Sequence, residues 1–554
     1  MASHALLPSS HVDTFVRAQL PPSAQWPAFI FDRPELTYPE HLNVTSELVD
    51  VHVAQGHGAR PALHGHNGTE AFTWCYAELQ QHVDRIANVL TQDMGLVAGS
   101  RLLLRGGNTP MMAACFLAGL KAGLVMVPTM PLLRAAELYQ VIDKANITAA
   151  LCVDHLAEEL NYCGDPAHPH HAPTLKQVLH FGRDDGTGLE ALMRAHTTSF
   201  KAHPTSRDDA CLIAFTSGTT GSPKGTVHFH RDVMAMCDLF PRHILHMTPD
   251  DVVCGTPPIA FTFGLGGLLA FPLRYGASTV LLEKHTPETL LKTIARYRVT
   301  QCYTAPTFYR QMATLAQSFD LSSLRHPVSA GEALPDATRQ LWKEKTGIEI
   351  TDGIGGTEMI HIYISSAGTQ VRAGSIGQVV PGYTARIVDD DMQPVPPGTP
   401  GRLAVRGPTG CRYLDDVRQT NYVKDGWNLP GDTFSMDQDG YFYYVARNDD
   451  MIISAGYNIA GPEVESALLQ HPAVAECGVV GVPDDERGQI VMAYVALKPE
   501  YTADAEMVET LQNFVKQSIA PFKYPRRIQF IPALPRTETG KLQRFRLRQL
   551  ATQA

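Results

Sequence analysis

An α/β fold is what this sequence predicts: parallel sheets covered by helices, then a small β-rich subdomain, then a C-terminal domain on a hinge. Three observations carry the prediction. From Leu48 to about Pro400, helical periodicity alternates with short apolar strand-like runs. Between Val380 and Gly431 the pattern shifts to short strands separated by Pro- and Gly-rich turns such as Pro394–Gly401. Beyond Arg447-Asn448-Asp449-Asp450 a separate α/β pattern begins. Regular helix–strand alternation buries both faces of parallel strands.

Taken in order, spacing predicts a helix over Tyr76–Gln92, a strand over Arg101–Leu104, a helix over Met111–Ala122 and a strand over Leu124–Pro128. The apolar stretch Ala113–Met130 contains Lys121 and Pro128, so it reads as helix then buried strand and not as a membrane span. Helix Ala135–Ala145 and strand Ala149–Val153 follow, and the alternation resumes through Ser278–Leu282, Pro287–Tyr297, Gln301–Thr304 and Pro306–Phe319. Strands Ala385–Val388 and Gly401–Val405 belong to the β-rich part. In the C-terminal part, Pro462–Gln470 reads as a helix with proline at its first position. Cys477–Val482, Ile490–Leu497 and Arg527–Phe530 read as strands, and Ala505–Ser518 as a helix. The expected division is 1–448 and 449–554.

Composition narrows the function. The chain has 554 residues, 44% hydrophobic and 18% charged, with net charge −10. A nucleic-acid partner needs a clustered basic face, and lysine and arginine are dispersed here. Ten cysteines are scattered without a C-x-x-C pair, which argues against a zinc site or disulfide framework and fits a reducing cytoplasm. Met1–His11 lacks the pattern of a signal peptide.

The stretch Thr216-Ser217-Gly218-Thr219-Thr220-Gly221-Ser222-Pro223-Lys224-Gly225 concentrates hydroxyls, glycines and one lysine between two β-favouring segments. Such a turn suits a polyphosphate, whose many acceptor oxygens carry high negative charge. It departs from the P-loop pattern, because Pro223 precedes the lysine and Gly225 follows it. Further segments extend the theme. Ser329-Ala330-Gly331-Glu332 allows close backbone approach to a flat base. Asp352-Gly353-Ile354-Gly355-Gly356-Thr357-Glu358 sets a hydroxyl beside a carboxylate suited to Mg²⁺. Gly431-Asp432 offers a carboxylate for two ribose hydroxyls, and Pro535–Lys541 presents a lysine near the C-terminus. Singly these are ordinary turns; their order and spacing make sense together if the ligand is ATP and the reaction activates a carboxylate.

On these segments the chain resembles the adenylate-forming superfamily of acyl- and aryl-CoA ligases over about 45–550. DGIGGTEMIHI (Asp352–Ile362) is similar to benzoate-CoA ligases, and His11–Pro39 to 2-aminobenzoate-CoA ligases. The resemblance implies a large N-terminal domain of two parallel-rich sheets with a β subdomain, and a small mobile α+β C-terminal domain. It implies ATP, Mg²⁺ and coenzyme A as partners of a small aromatic carboxylate. Thr216–Lys224 would hold the β- and γ-phosphates; Gly331, Glu332 and Asp352 would line the nucleotide; Asp432 and Arg447 would hold the ribose. Thr357 would donate to the α-phosphate, Glu358 would hold Mg²⁺, and Lys541 would bridge carboxylate and α-phosphate. Asp449 matches the hinge, while Gly456, Tyr457 and Asn458 match the CoA contact, although many relatives carry Arg at the Asn458 position. Acetylation of Lys541 by a lysine acetyltransferase is a further implication, and a homodimer is compatible with it.

The acyl pocket is expected from Ala260, Phe261, Thr262, Phe263, Gly264, Ala330, Ile354, Gly355 and His361. Large flat side chains suit an aromatic ring and disfavour a long fatty tunnel. No acidic residue stands in Ala260–Gly264 to meet an α-ammonium. Thr262 or His361 would accept a hydrogen bond from an ortho amino group, favouring 2-aminobenzoate; packing of His361 against the ring, with benzoate as substrate, is the equal alternative. A medium-chain acyl-CoA ligase, a luciferase-like enzyme without CoA transfer and a non-catalytic nucleotide binder are the remaining readings.

Overall fold

The computed structural model describes residues 6–67, 70–183, 186–216, 223–447, 450–454, 457–484, 487–536 and 541–553. Two sheets dominate the large part. One runs in the order Gln378–Val379, Ile362–Ser366, Thr351–Gly355, His326–Ser329, Gln301–Thr304, Val252–Gly255, Ser278–Val280, Pro61–Asn67, Glu70–Cys75. Its six inner strands are parallel, and antiparallel pairs close both edges. The second runs Gln177–Phe181, Ala149–Val153, Arg101–Arg105, Val125–Thr129, Ala210–Thr216, Lys224–Phe229. It is parallel up to the last hairpin, which is antiparallel.

Strands such as Arg101–Arg105, Val125–Thr129 and Ala149–Val153 are buried at every position, as strands sandwiched between helices must be. Helix Pro110–Lys121 is buried almost throughout; its start is fixed by Thr109, whose side chain accepts from the Met112 N–H, with proline in the first turn. The helix expected over Tyr76–Gln92 closes at Asn88 and continues as a wider π turn, Val89–Asp93.

The β subdomain is an antiparallel sheet ordered Val423–Lys424, Trp427–Asn428, Gly401–Arg406, Asp432–Met436, Phe442–Arg447, with Thr384–Val388 also paired to Gly401–Arg406. From Ile452 the strands belong to another sheet, ordered Tyr457–Ile459, Ile452–Ser454, Gly488–Leu497, Val474–Asp484, with Arg527–Phe530 parallel to Gly488–Leu497. This sheet has its own apolar core around Val464, Leu468, Val479, Val495 and Leu511.

The topology locates the site. In parallel α/β sheets, ligands meet the loops that leave the carboxyl ends of the strands. Four adjacent strands end at Gly255, Thr304, Ser329 and Gly355, and Ala210–Thr216 of the second sheet ends at Thr216. Most of the segments singled out from sequence follow one of these ends.

Candidate active site

Thr216 and Lys224 face each other across the antiparallel hairpin, so the lysine begins a strand directly opposite the end of another. Residues 217–222, which carry Ser217, Gly218, Thr219, Thr220 and Gly221, lie outside the described residues. The Thr216 Oγ1 is enclosed and has no hydrogen-bond partner, so an incoming acceptor would satisfy it. Lys224 Nζ stands 3.9 Å from Glu358 Oε1 and 5.0 Å from the centroid of the Tyr413 ring.

Thr357 and Glu358 sit on a single 3-10 turn, Thr357–Met359, after Gly356. Three contacts clamp it. His228 Nε2 lies 2.8 Å from the Thr357 carbonyl, Thr409 Oγ1 donates to the Met359 carbonyl at 2.8 Å, and the Tyr413 hydroxyl donates to Glu358 Oε1 at 2.5 Å. Burial pushes the His228 imidazole down to about 4, so it is a neutral donor at neutral pH. The turn exits through Ile360 at φ 65°, a conformation costly for a β-branched residue. Sequence reasoning missed His228, Thr409 and Tyr413: none stands in a recognisable motif, and only the fold brings them under the turn. With Tyr413 and Lys224 both addressing Oε1, Glu358 offers Oε2 as a hard oxygen donor, which fits Mg²⁺ held between one carboxylate and phosphates.

Behind His228 lies a buried ion pair. Arg412 Nη1 donates to Asp232 Oδ2 at 2.7 Å, and both side chains are fully buried. The guanidinium is enclosed by the rings of Phe229 (4.1 Å), Phe29 (4.2 Å) and Trp26 (5.3 Å). The last two belong to the N-terminal run, so that run packs directly behind the phosphate side of the cleft.

Asp432 and Arg447 are cross-strand partners, with Nε 3.8 Å from Oδ1. Lys541 projects toward Gly331: its Cε is 3.5 Å from where a β-carbon on that residue would stand, and Gly331 has φ +91°. A side chain at Gly331 would be strained and would crowd the lysine. Loss of hydration in the cleft lowers the Lys541 pKa; Glu332, Glu358 and Asp432 oppose that effect and Arg447 reinforces it. The residues read as the nucleotide site are therefore electrostatic neighbours, although 541 and 331 are remote in sequence.

Two expected nucleotide residues make protein contacts of their own. The Glu332 carboxylate, read as facing adenine, accepts from the Leu542 N–H at 2.8 Å and from Arg536 Nη1 at 3.2 Å. Asp352 is buried in the sheet beside Ser329; burial pushes its carboxyl up to about 7, against the pull of Arg339. Asp352 thus stands in the wall of the cleft, where Ser365 Oγ donates to its carbonyl at 2.6 Å. Asp449 and Gly456 lie outside the described residues. Tyr457 and Asn458 contribute backbone to the edge strand Tyr457–Ile459, and their side chains lie outside the description.

The segment expected to line the acyl pocket follows Gly255. Asn108 fixes it, donating to the Pro257 carbonyl at 2.9 Å and accepting from the Ile259 N–H at 2.8 Å. Ala260, Thr262 and Gly264 are buried, while Phe261, Phe263 and Ile354 remain partly open. Gly264 packs so closely that a β-carbon would lie 2.1 Å from the Pro258 carbonyl oxygen, and one on Gly355 would lie 2.6 Å from the His361 carbonyl oxygen. Ala330, at the end of the neighbouring strand, is buried beside them. The His361 ring lies among Phe271 (4.5 Å), Phe240 (5.6 Å) and Phe263 (5.7 Å). Its Nε2 is 3.4 Å from the Phe263 carbonyl, whereas Nδ1 is buried without a partner. Burial pushes this imidazole down to about 3, so it is neutral; with Nε2–H toward the carbonyl, Nδ1 is left as an acceptor.

Thr216 and Lys224, the Thr357–Glu358 pair and Lys541 gather at one cleft, the last from the part of the chain beyond Ile452. The chain belongs to the AMP-binding enzyme family, which matches residues 51–412, and the AMP-binding enzyme C-terminal domain matches residues 463–541. It is 35% identical to the benzoate–CoA ligase of Thauera aromatica over 526 residues, 93% of this chain and 97% of that protein. It is 32% identical to the human mitochondrial acyl-coenzyme A synthetase ACSM3, over 93% of this chain and 90% of that one. Among solved structures, the anthranilate CoA ligase AuaEII in complex with anthranoyl-AMP superposes with a TM-score of 0.88 at 31% identity, over 94% of this chain and all of that one. A benzoate CoA ligase from Burkholderia xenovorans LB400 gives 0.81 at 31% identity, over 91% and 99%. The protein is an AMP-forming acid–CoA ligase that uses ATP, Mg²⁺ and coenzyme A. Among the described residues no helix is long and apolar enough to cross a membrane.

Proposed function

We propose that the acid is 2-aminobenzoate and that Lys541, Thr357 and Glu358 carry the first of two half-reactions. In that step a carboxylate oxygen attacks the α-phosphorus of ATP, the bond to the β-phosphate breaks, and pyrophosphate leaves the aryl-adenylate. Negative charge grows on phosphate oxygens, so positioned cations and donors lower the barrier. Lys541 would neutralise charge between carboxylate and α-phosphate, the Thr357 hydroxyl would donate to the α-phosphate, and Thr216 with Lys224 would hold the leaving pyrophosphate. Mg²⁺, held by Glu358, supplies charge neutralisation when bound. Asp432 and Arg447 would hold the ribose. In the second step the CoA thiolate attacks the acyl carbon and AMP leaves with the electron pair of the broken C–O bond. Rotation about Asp449 would withdraw Lys541 and bring Gly456, Tyr457 and Asn458 toward the thiol.

The observation that favours 2-aminobenzoate is the unpartnered, buried Nδ1 of neutral His361 among aromatic rings. An acceptor there is satisfied by an ortho amino group and left unpaired by benzoate. The anthranoyl-AMP complex of the similar ligase lends support. Pyrophosphate release measured over 2-aminobenzoate, benzoate, halobenzoates, phenylacetate and medium-chain acids, with CoA thioester and AMP quantified alongside, tests the reading. It predicts the highest kcat/KM for 2-aminobenzoate; equal or greater values for benzoate or an aliphatic acid would overturn it. Acetylation of Lys541 would remove the charge and a donor and stop the first half-reaction. An acetylated protein that still forms adenylate would refute that switch. Ten thiols, none in a disulfide, suit a cytoplasmic site of action.

A further inference from the structure

We propose that a basic cavity, at the end of the nine-stranded sheet opposite the catalytic cleft, binds a small phosphate dianion, either inorganic phosphate or the phosphate of a monoester. The cleft lies where the parallel strands end; this cavity lies where three adjacent ones begin. Pro249, Gly276 and Arg60 stand just before Val252–Gly255, Ser278–Val280 and Pro61–Asn67, which are neighbours in the sheet, and all three residues line the cavity. Its volume is about 360 Å³, room for a phosphate with a small organic substituent. Arg60, Arg242 and Arg274 face it, together with His52, His57 and Tyr275. Among the described lining residues Asp238 is the only carboxylate.

That carboxylate is already engaged. Tyr38 donates to its Oδ2 at 2.9 Å, and Arg274 donates to Oδ1 at 2.9 Å and to Oδ2 at 3.3 Å. Arg274 also donates to Glu47 at 3.0 Å, so its guanidinium is a fixed wall. The other two guanidiniums can turn to a ligand. Arg60 donates to Asp250 at 2.8 Å and to the Pro249 carbonyl at 3.2 Å, but the Asp250 side chain is 91% exposed. An ion pair so open to water is weak, and exchanging it for a dianion costs little. Arg242 is exposed and makes no ion pair among the described residues; it stands beside the Tyr275 hydroxyl, which itself donates to the Cys237 carbonyl at 3.1 Å. His52 Nε2 lies 2.7 Å from the Leu273 carbonyl, which fixes the ring and leaves Nδ1 on the side of Gly276. Burial lowers the His52 pKa against the pull of that carbonyl, and His57, Arg274 and Arg60 lower it further, a mark of positive potential around the ring. A chain of net charge −10 has no general attraction for anions, so recognition here comes from this local convergence. Guanidiniums suit a phosphate because their paired N–H donors match two of its oxygens at once.

Equilibrium dialysis of the full chain against radiolabelled inorganic phosphate, at constant ionic strength set with chloride, tests the site. Arg242→Glu should weaken phosphate binding by about tenfold or more, and Arg60→Gln by about threefold or more. Arg242 is exposed, so its substitution leaves the fold intact, which an unchanged melting temperature checks. Lys224→Ala, altered in the cleft, should retain this phosphate within about twofold of the wild-type affinity. A parallel titration with glycerol 3-phosphate separates the two sources. Tighter binding than inorganic phosphate assigns the cavity to phosphate monoesters, and equal or weaker binding assigns it to the free ion; in either case Arg242→Glu must abolish the preference. Absence of saturable binding in the wild type, binding that Arg242→Glu retains, or binding that Lys224→Ala removes would each overturn the proposal.

Discussion

At His361 the polar atoms of one ring are divided between two tasks. Nε2 is turned to the Phe263 carbonyl, and Nδ1 is buried without a partner. Removing the ring should therefore cost 2-aminobenzoate more than benzoate. His361→Ala is expected to lower the ratio of their kcat/KM values by about tenfold, in line with a lost buried hydrogen bond. An unchanged ratio in steady-state kinetics would assign the histidine to packing alone. Asp352 offers a second test at this scale. Burial raises its carboxyl to about 7, so it favours the fold in its protonated form. That contribution is complete below the usual carboxylate pKa of about 4 and is lost as pH rises through about 7. Asp352→Asn should accordingly gain stability over wild type at about pH 8, by at most about 4 kcal/mol, and gain nothing near pH 4. Urea unfolding at the two pH values checks this; an asparagine variant with no advantage at high pH would contradict it.

The Thr357–Met359 turn works as one element because its constraints come from three parts of the chain. Ile360, at φ 65°, stores backbone strain that a lone turn would relax. His228, Tyr413 and Thr409 hold it, and Thr409 is itself bonded to the Tyr383 hydroxyl at 2.8 Å. Replacing Thr409 with valine leaves the Met359 carbonyl without this donor and should cost about 1–3 kcal/mol of stability. Because Thr357 and Glu358 lie on the same turn, adenylation should slow too, with serine at 409 restoring it. Thermal unfolding and pyrophosphate release check both effects; a valine variant that loses stability and keeps full adenylation would separate the clamp from catalysis. Much of the element pattern was legible in advance. Pro287–Tyr297, Gln301–Thr304, Ala505–Ser518 and Arg527–Phe530 stand where periodicity and flanking proline put them. The clamp was not legible. A strained Ile360 looks like any core isoleucine, and Thr409 lies outside every motif. Tyr413 reaches Glu358 only because Thr226 and Tyr413 are bridged, a pairing between segments that lie far apart in the chain.

Across the whole molecule, the N-terminal run and the C-terminal part each reach the surroundings of the same cleft. Trp26 and Phe29 enclose Arg412, whose carboxylate partner Asp232 stands 4.0 Å from His228 Nδ1. Arg536 and Leu542 bond to Glu332. Sequence order reveals neither convergence, because the partners are up to several hundred residues apart and their side chains are ordinary in composition. The Thr-Ser-Gly-Thr-Thr-Gly segment, Thr357-Glu358 and Lys541 stood out in the sequence because their residue types suggest chemistry without the fold. The central claim is that Lys541 belongs to one half-reaction only, and it is tested most directly by assaying Lys541→Ala in two separate reactions. The expected result is loss of adenylate formation by at least about a hundredfold, with thioester formation from supplied aryl-adenylate largely intact. Equal loss in both reactions would contradict the account.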